Sequence, residues 1–132
     1  FVLSDVQEML AMVYQDRAIF HDGDEDLFPG ITLHHFPGHA RGLMAVRVNT
    51  KRGWIILASD TAHYYESLTK EHVFMTHENI FEMLESYRSL VKLGGDITHI
   101  IPGHDPDVLV RYPSISENLT GVVAVLHEKP FY

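Results

Sequence analysis

The sequence predicts a mixed α/β (α+β) fold in a single domain of 132 residues. Short apolar runs that end in turn residues indicate strands, and two segments with apolar residues at helical spacing indicate helices. The apolar fraction of 45% is ordinary for a globular protein, and the chain is long enough to bury a core. A net charge of −8 lacks the basic surface that nucleic acids and anionic membranes require, so neither is an expected partner.

The first part of the chain is predicted to contain one helix and one loop. Residues 1–3 fit the end of a strand. Apolar residues at helical spacing then predict a short amphipathic helix over residues 5–14, with Ser4 as its cap. Residues 15–30 are rich in aspartate and close on Pro29-Gly30, which is typical of a solvated loop.

The strands of the predicted sheet cover residues 31–36, 43–50, 54–59 and 98–101. The second and third of these strands form a hairpin, because a polar turn joins them. The unbroken apolar run that starts at Trp54 is typical of a strand buried on both faces.

The second half of the chain contains the clearest helix. Residues 61–75 are irregular and rich in aromatic side chains. The helix follows over residues 77–93, with Thr76 as its cap and two glycines at its end, and we expect it to cover one face of the sheet. Residues 108–111 are predicted to form a helical turn, and residues 122–126 a final strand.

Three predicted strands each end at a residue that can bind a metal. His39 follows Pro37-Gly38, His104 follows Pro102-Gly103, and Asp60 follows a buried run. Two imidazoles and one carboxylate suit zinc, manganese or iron(II), and the absence of cysteine excludes thiolate ligands. The alternatives are a capping role for Asp60 and exposed positions in ordinary turns for the histidines.

These motifs carry a resemblance to a known family. They are Pro37-Gly38-His39-x-x-Gly42, Leu57-Ala58-Ser59-Asp60 followed by His63-Tyr64-Tyr65, and Pro102-Gly103-His104-Asp105. In this order they resemble the C-terminal half of a metallo-β-lactamase superfamily hydrolase, most of all the N-acyl homoserine lactonase branch. The likeness extends from Phe1 to about Pro113. The family's principal motif, His-x-His-x-Asp-His, is absent from residues 1–132, and we expect it in an N-terminal half.

The resemblance implies a four-layered αββα sandwich, to which this chain adds one sheet, two main helices and a C-terminal strand. It also implies two divalent ions, zinc first and manganese or iron as alternatives. His39 would bind one ion and His104 the other, with Asp60 as the bridge. Metal-bound hydroxide would attack a lactone, ester or thioester. Since the other ligands would lie upstream, we expect weak or no metal binding and negligible activity from residues 1–132 alone.

The loop after Asp60 supplies the candidate residues for the substrate. In the lactonases, a tyrosine three residues after the bridging aspartate helps hold the substrate carbonyl, and His63 occupies that position here. His63 and Tyr64 are therefore the candidate catalytic residues besides Asp60. The candidate substrate contacts are aromatic: Tyr64, Tyr65 and Phe74. Packing over the sheet is the alternative for the tyrosines. Asp105 is expected either to orient an imidazole or to lie on the surface.

Two other hypotheses stay open. A non-catalytic half-domain would act by association, since half of a sandwich exposes an apolar sheet face and a strand edge that favour a homodimer. A glyoxalase II-like thioesterase would use the same metal site on a different substrate. The expected partner of the hydrolase is a small lactone or ester. The first residues lack the basic start and apolar stretch of a signal peptide, so the expected location is cytoplasmic.

Overall fold

The computed structural model describes residues 2–132 and confirms the mixed α+β class. Its strands form one sheet in the order β1-β2-β3-β4-β5. The strands are β1 (Glu25–Phe28), β2 (Ile31–His35), β3 (Met44–Thr50), β4 (Gly53–Ser59) and β5 (Ile100–Pro102). The first four pair antiparallel, and β5 pairs parallel with β4. The helices are α1 (Leu3–Tyr14), α2 (Tyr65–Lys70), α3 (Ile80–Gly94) and α4 (Val108–Arg111). None of the helices within residues 2–132 has the length and apolar character that a membrane crossing requires.

The core lies between α3 and one face of the sheet, as the sequence predicts. Met83, Tyr87 and Leu90 of α3 are each at most 1% exposed. They belong to one apolar cluster with Ile56 of β4 and Ile100 of β5, two residues that the parallel register places side by side. Since side chains alternate along a strand, every second residue of β4 faces the helix. Helix α3 therefore packs across the two strands that end at the candidate site.

The opposite face of the sheet is apolar but only partly buried. The register places Ile31 opposite Val48, Leu33 opposite Val46, and Val46 opposite Leu57. All five of these side chains are intermediate in exposure. A homodimer formed through this face stays a prediction.

The N-terminal helix α1 forms, yet none of its residues is buried. It begins at Leu3, so the strand end expected over residues 1–3 is wrong for Val2 and Leu3, and Phe1 lies outside the described residues. The N-cap position belongs to Val2. Ser4 is inside the helix and its hydroxyl donates to the Asp5 carboxylate, so the predicted Ser4 cap is wrong as well.

Two elements that the sequence analysis treats as irregular are ordered. Strand β1 lies inside the predicted loop of residues 15–30, and α2 lies inside the irregular stretch of residues 61–75. The side chains of β1 are mostly exposed, so the strand owes its order to backbone pairing and leaves no apolar alternation in the sequence. Helix α2 has 6 residues, which is too short for a helical period to stand out.

The strand predicted over residues 122–126 is wrong. The N–H of Val125 donates to the carbonyl of Pro113 at 2.8 Å, and the segment joins no sheet. The Arg52 side chain ties the same segment to the hairpin, because its Nε donates to the carbonyl of Leu126 at 2.7 Å. Residues 122–126 are thus held by separate hydrogen bonds to Pro113 and Arg52, and not by the strand pairing that their apolar character would indicate.

Helix α3 begins later than predicted because Asn79 is its cap. The Asn79 side chain accepts hydrogen bonds from the N–H groups of Phe81 and Glu82, at 3.0 and 3.3 Å. Asparagine is among the residues most favoured at this position, so the Thr76 cap is wrong. The helical turn predicted over residues 108–111 is confirmed as α4.

Replacing Leu90 with alanine should lower the free energy of unfolding by about 2–5 kcal/mol, because Leu90 is 0% exposed and a cavity would remain under α3. The neighbouring Val91 is 39% exposed and is a matched control, for which Val91→Ala should cost less than about 1 kcal/mol. Urea unfolding followed by circular dichroism measures both. Equal losses for the two variants would contradict the assignment of the core to this face of α3.

Candidate metal centre

The side chain of Asp60 lies directly after the C-terminal end of β4. Ser59, which ends the strand, has a φ of 49°, a left-handed conformation that residues other than glycine rarely adopt. The pairing between β4 and β5 becomes irregular at the same point, between Leu57 and Ser59. This turn directs Asp60 out of the sheet and leaves its side chain 35% exposed.

The loops that follow β4 and β5 are held together by backbone hydrogen bonds. The N–H of Gly103 donates to the carbonyl of Ala62, and the N–H of His104 donates to the carbonyl of His63, both at 3.0 Å. Gly103 permits this contact, because a Cβ at its position would lie 2.5 Å from the carbonyl oxygen of Ser59. The imidazole rings of His63 and His104 consequently lie with their centroids 4.3 Å apart.

The third loop, which carries His39, is fixed to the start of α3. The carbonyl of Gly38 accepts hydrogen bonds from the N–H groups of Glu78 and Asn79, at 2.8 and 2.9 Å. Gly38 has a φ of +126°, and a Cβ there would lie 2.4 Å from the backbone nitrogen of Met83. Only glycine fits this turn, which explains the Pro-Gly-His motif before α3 in physical terms.

The ring of His39 is oriented by a backbone carbonyl. Its Nδ1 lies 2.8 Å from the carbonyl oxygen of Thr76. Because a carbonyl can only accept, Nδ1 carries the proton, and in the neutral ring Nε2 carries the lone pair. That Nε2 lies 3.7 Å from Oδ2 of Asp60.

The two oxygens of Asp60 face different imidazoles. Oδ1 lies 2.7 Å from Nε2 of His104 and 3.4 Å from Nε2 of His63, whereas Oδ2 faces His39. The ligand atoms of Asp60, His63 and His104 all lie within 4.8 Å of one another. The predicted convergence of His39, Asp60 and His104 at one edge of the sheet is thus what the structure shows.

His63 lies beside Asp60 and His104 in the candidate metal centre, and its predicted role at a substrate carbonyl stays a prediction. Its ring stacks on Phe74, with centroids 3.4 Å apart and planes at 6°. Its buried Nε2 lies 3.4 Å from Oδ1 of Asp60 and makes no hydrogen bond among residues 2–132. Burial lowers the pKa of His63, and a charge on the adjacent His104 lowers it further. The neutral ring keeps a lone pair available to a metal.

These observations show that the residues fit a divalent cation. The donors are imidazole nitrogens and carboxylate oxygens, which zinc and other first-row metals accept. Nε2 of His63 makes no hydrogen bond within residues 2–132, and Nε2 of His39 presents its lone pair 3.7 Å from Oδ2 of Asp60. A metal would supply the partner that the described protein atoms do not.

The aromatic candidates differ in position. Phe74 lies at the centre, stacked on His63 and with its ring centroid 5.5 Å from that of His39. Tyr64 is 45% exposed, and its ring lies edge-on to that of His63, with the two ring centroids 6.2 Å apart. A role of either side chain as a substrate contact stays a prediction.

Tyr65 does not share that position. It is 6% exposed, and its ring lies under the guanidinium of Arg111 at 4.0 Å. Burial also raises the pKa of the Tyr65 hydroxyl, so the group stays neutral. Its place inside the protein supports packing, the alternative reading, and gives no support to the predicted contact with substrate.

The hydrogen bonds of Asp105 give no support to the expectation that it orients an imidazole. Its Oδ2 accepts a hydrogen bond from the N–H of Tyr65, and its Oδ1 accepts one from the N–H of Asp107, each at 2.9 Å. An aspartate side chain commonly bonds the backbone two residues further on in this way. Asp105 therefore connects the loop after β5 to the start of α2, and its contribution to the centre is to hold the two loops in place.

The chain is similar to three solved structures of hydrolases that hold or depend on a metal. An N-acyl homoserine lactone hydrolase, with the product N-hexanoyl-L-homoserine bound at its catalytic metal centre, is 26% identical over 64% of this chain and 34% of its own, with a TM-score of 0.58. A dizinc quorum-quenching lactonase is 18% identical over 80% of this chain and 36% of its own, with a TM-score of 0.62. A probable metal-dependent hydrolase from Staphylococcus aureus is 14% identical over 70% of this chain and 34% of its own, with a TM-score of 0.61.

The chain therefore has part of the metallo-β-lactamase-like fold, which confirms the resemblance drawn from its motifs. It spans about a third of the length of these structures, 34% and 36% for the two lactonases. A scan of family models finds no match for the sequence, and no curated protein matches it.

The close approach at Gly103 gives a prediction for the geometry of the centre. Gly103→Ala should destabilise the protein by about 1–3 kcal/mol, because the added Cβ would force the backbone of Ser59 away. Gly42→Ala is the matched control, since a Cβ at Gly42 meets nothing within 4 Å. Urea unfolding of the two variants measures the difference. A Gly103→Ala variant as stable as Gly42→Ala would show that the two loops do not pack as described.

Proposed function

We propose that the chain is the C-terminal portion of a metal-dependent hydrolase of the metallo-β-lactamase fold. The observation that carries this proposal is the shared carboxylate, because Asp60 presents Oδ1 to His104 and Oδ2 to His39. One carboxylate between two imidazoles is the arrangement that a pair of metal ions needs. The remaining ligands would come from an N-terminal portion that contains the His-x-His-x-Asp-His motif.

The roles of the residues follow from their positions. His39 would hold one ion, His104 the other, and Asp60 both. Zinc is the first candidate, with manganese and iron as alternatives. When bound, such ions polarise a substrate carbonyl and make a water nucleophilic near neutral pH. Thr76 fixes the ring of His39 through its carbonyl, which keeps the ligand nitrogen directed at Asp60.

The substrate we propose is a lactone, with an ester or thioester as the wider class. The N-acyl homoserine lactone hydrolase that is 26% identical to the chain supports this choice. Two aromatic side chains beside the centre support it too. Phe74 and the half-exposed Tyr64 form an apolar wall next to the imidazoles, and such a wall suits the acyl chain of an acylated lactone.

Hydrolysis assays on the full-length natural protein test this proposal, with zinc or manganese added. N-hexanoyl homoserine lactone, an aryl ester and an acyl thioester would be compared side by side. Faster turnover of the lactone is the expected result. Faster turnover of the thioester would favour the glyoxalase II-like hypothesis. No turnover of any of the three would favour the non-catalytic half-domain, and it would contradict the proposal.

Within that protein, Asp60→Asn should lower kcat/KM by about 100-fold or more, because the neutral amide is a poor bridge between two cations. Glu85→Gln is a matched control on the exposed side of α3, where the Glu85 side chain is 76% exposed. It should leave kcat/KM unchanged. Comparable kcat/KM values for the two variants would remove Asp60 from the site.

A further inference from the structure

We infer that His63 is itself a metal ligand, and that residues 2–132 alone bind one divalent cation through Asp60, His63 and His104. The inference rests on the proposed metal centre and adds a ligand to it. It also replaces the expectation that this chain alone binds metal weakly or not at all, which did not count His63 among the donors.

The unpartnered nitrogen of His63 is the first observation behind this inference. The His63 side chain is 17% exposed, and its Nε2 is fully buried without a hydrogen bond to any described residue. Buried polar atoms are nearly always paired, so an exception calls for an explanation. The nitrogen lies 3.4 Å from Oδ1 of Asp60, on the side where the carboxylate also meets His104.

The spacing of the donors is the second observation. The ligand atoms of the three residues lie within 4.8 Å of one another. Two donors at about 2.1 Å from one zinc ion lie up to about 4 Å apart, so small side-chain movements bring the three donors to that range. A cation at this place would replace the hydrogen bond between His104 and Asp60.

The third observation is that contacts within the described residues position His63 and the backbone of His104. The stack on Phe74 fixes the ring of His63, and the N–H of His104 donates to the carbonyl of His63. Three protein ligands are the usual number in catalytic zinc sites. On the Oδ2 side of Asp60, His39 is the imidazole that the described residues supply. Because that side offers fewer protein ligands than the Oδ1 side, we expect residues 2–132 to bind one ion and not two.

The competing explanation is that His63 is a packing residue whose ring only fills the space beside Phe74. Phenylalanine at position 63 would then serve equally well. His63→Phe separates the two explanations, because it keeps the aromatic stack and removes the nitrogen donor.

The experiment is a Co²⁺ titration of the 132-residue chain, followed by visible absorption and by calorimetry. We expect one equivalent of Co²⁺ to bind with a visible d–d band. His63→Phe should weaken binding about tenfold or more and change the band. His127→Phe is the matched control, because the His127 side chain is 53% exposed and lies outside the centre, and it should bind as the parent chain does. Far-UV circular dichroism checks that each variant folds, and His63→Gln replaces His63→Phe if that variant does not.

The outcomes separate this inference from the proposed function. Co²⁺ binding by His63→Phe that equals the parent chain would overturn the inference. If Asp60→Asn abolished binding in the same series, the proposed metal centre would still stand. A parent chain that binds no Co²⁺ would also overturn the inference, and the metal content of the full-length protein would then decide the proposed function by itself.

Discussion

The Asp60 carboxylate, held among three imidazoles, is the interaction on which the account of this molecule depends. Its position is set by the backbone before any metal is considered. The backbone of Ser59 has a left-handed conformation. Gly103 lies so close to the carbonyl oxygen of Ser59 that no side chain fits at position 103. The Asp60 carboxylate therefore follows β4 at the edge of the sheet where β5 also ends, and His104 of the loop after β5 contacts it there.

The rest of the fold supports that edge. Helix α3 packs its buried face across β4 and β5. The two residues before its first turn, Glu78 and Asn79, donate their N–H groups to the carbonyl of Gly38 and so hold the loop that carries His39. One helix therefore fixes both the strands that carry Asp60 and His104 and the loop that carries the third imidazole. The opposite face of the sheet is only partly buried, which is consistent with a chain that spans about a third of its structural neighbours.

Much of this arrangement follows from sequence patterns. The apolar run of β4, the helical period of α3 and the glycine before each histidine predict the strands, the covering helix and the convergence of His39, Asp60 and His104. Each of these patterns is local in sequence, and each indicates a strand, a helix or a turn that the residue types themselves favour.

The remaining features depend on side-chain directions and non-local contacts that no local pattern records. The nitrogen of His63 faces Asp60 because of the stack on Phe74, eleven residues along the chain. Asp105 follows His104 directly in sequence, yet its carboxylate accepts a hydrogen bond from the N–H of Tyr65. The apolar residues after Gly121 look like a strand, but the contacts from Arg52 and Pro113 hold them as a loop.

The most direct measurement is a crystal structure of the chain grown with Zn²⁺, with anomalous diffraction recorded on both sides of the zinc edge. We expect one strong anomalous peak beside Oδ1 of Asp60, at about 2.0–2.2 Å from that oxygen and from Nε2 of His63 and His104. Zinc found only at surface histidines, with His104 still hydrogen-bonded to Asp60, would contradict that expectation.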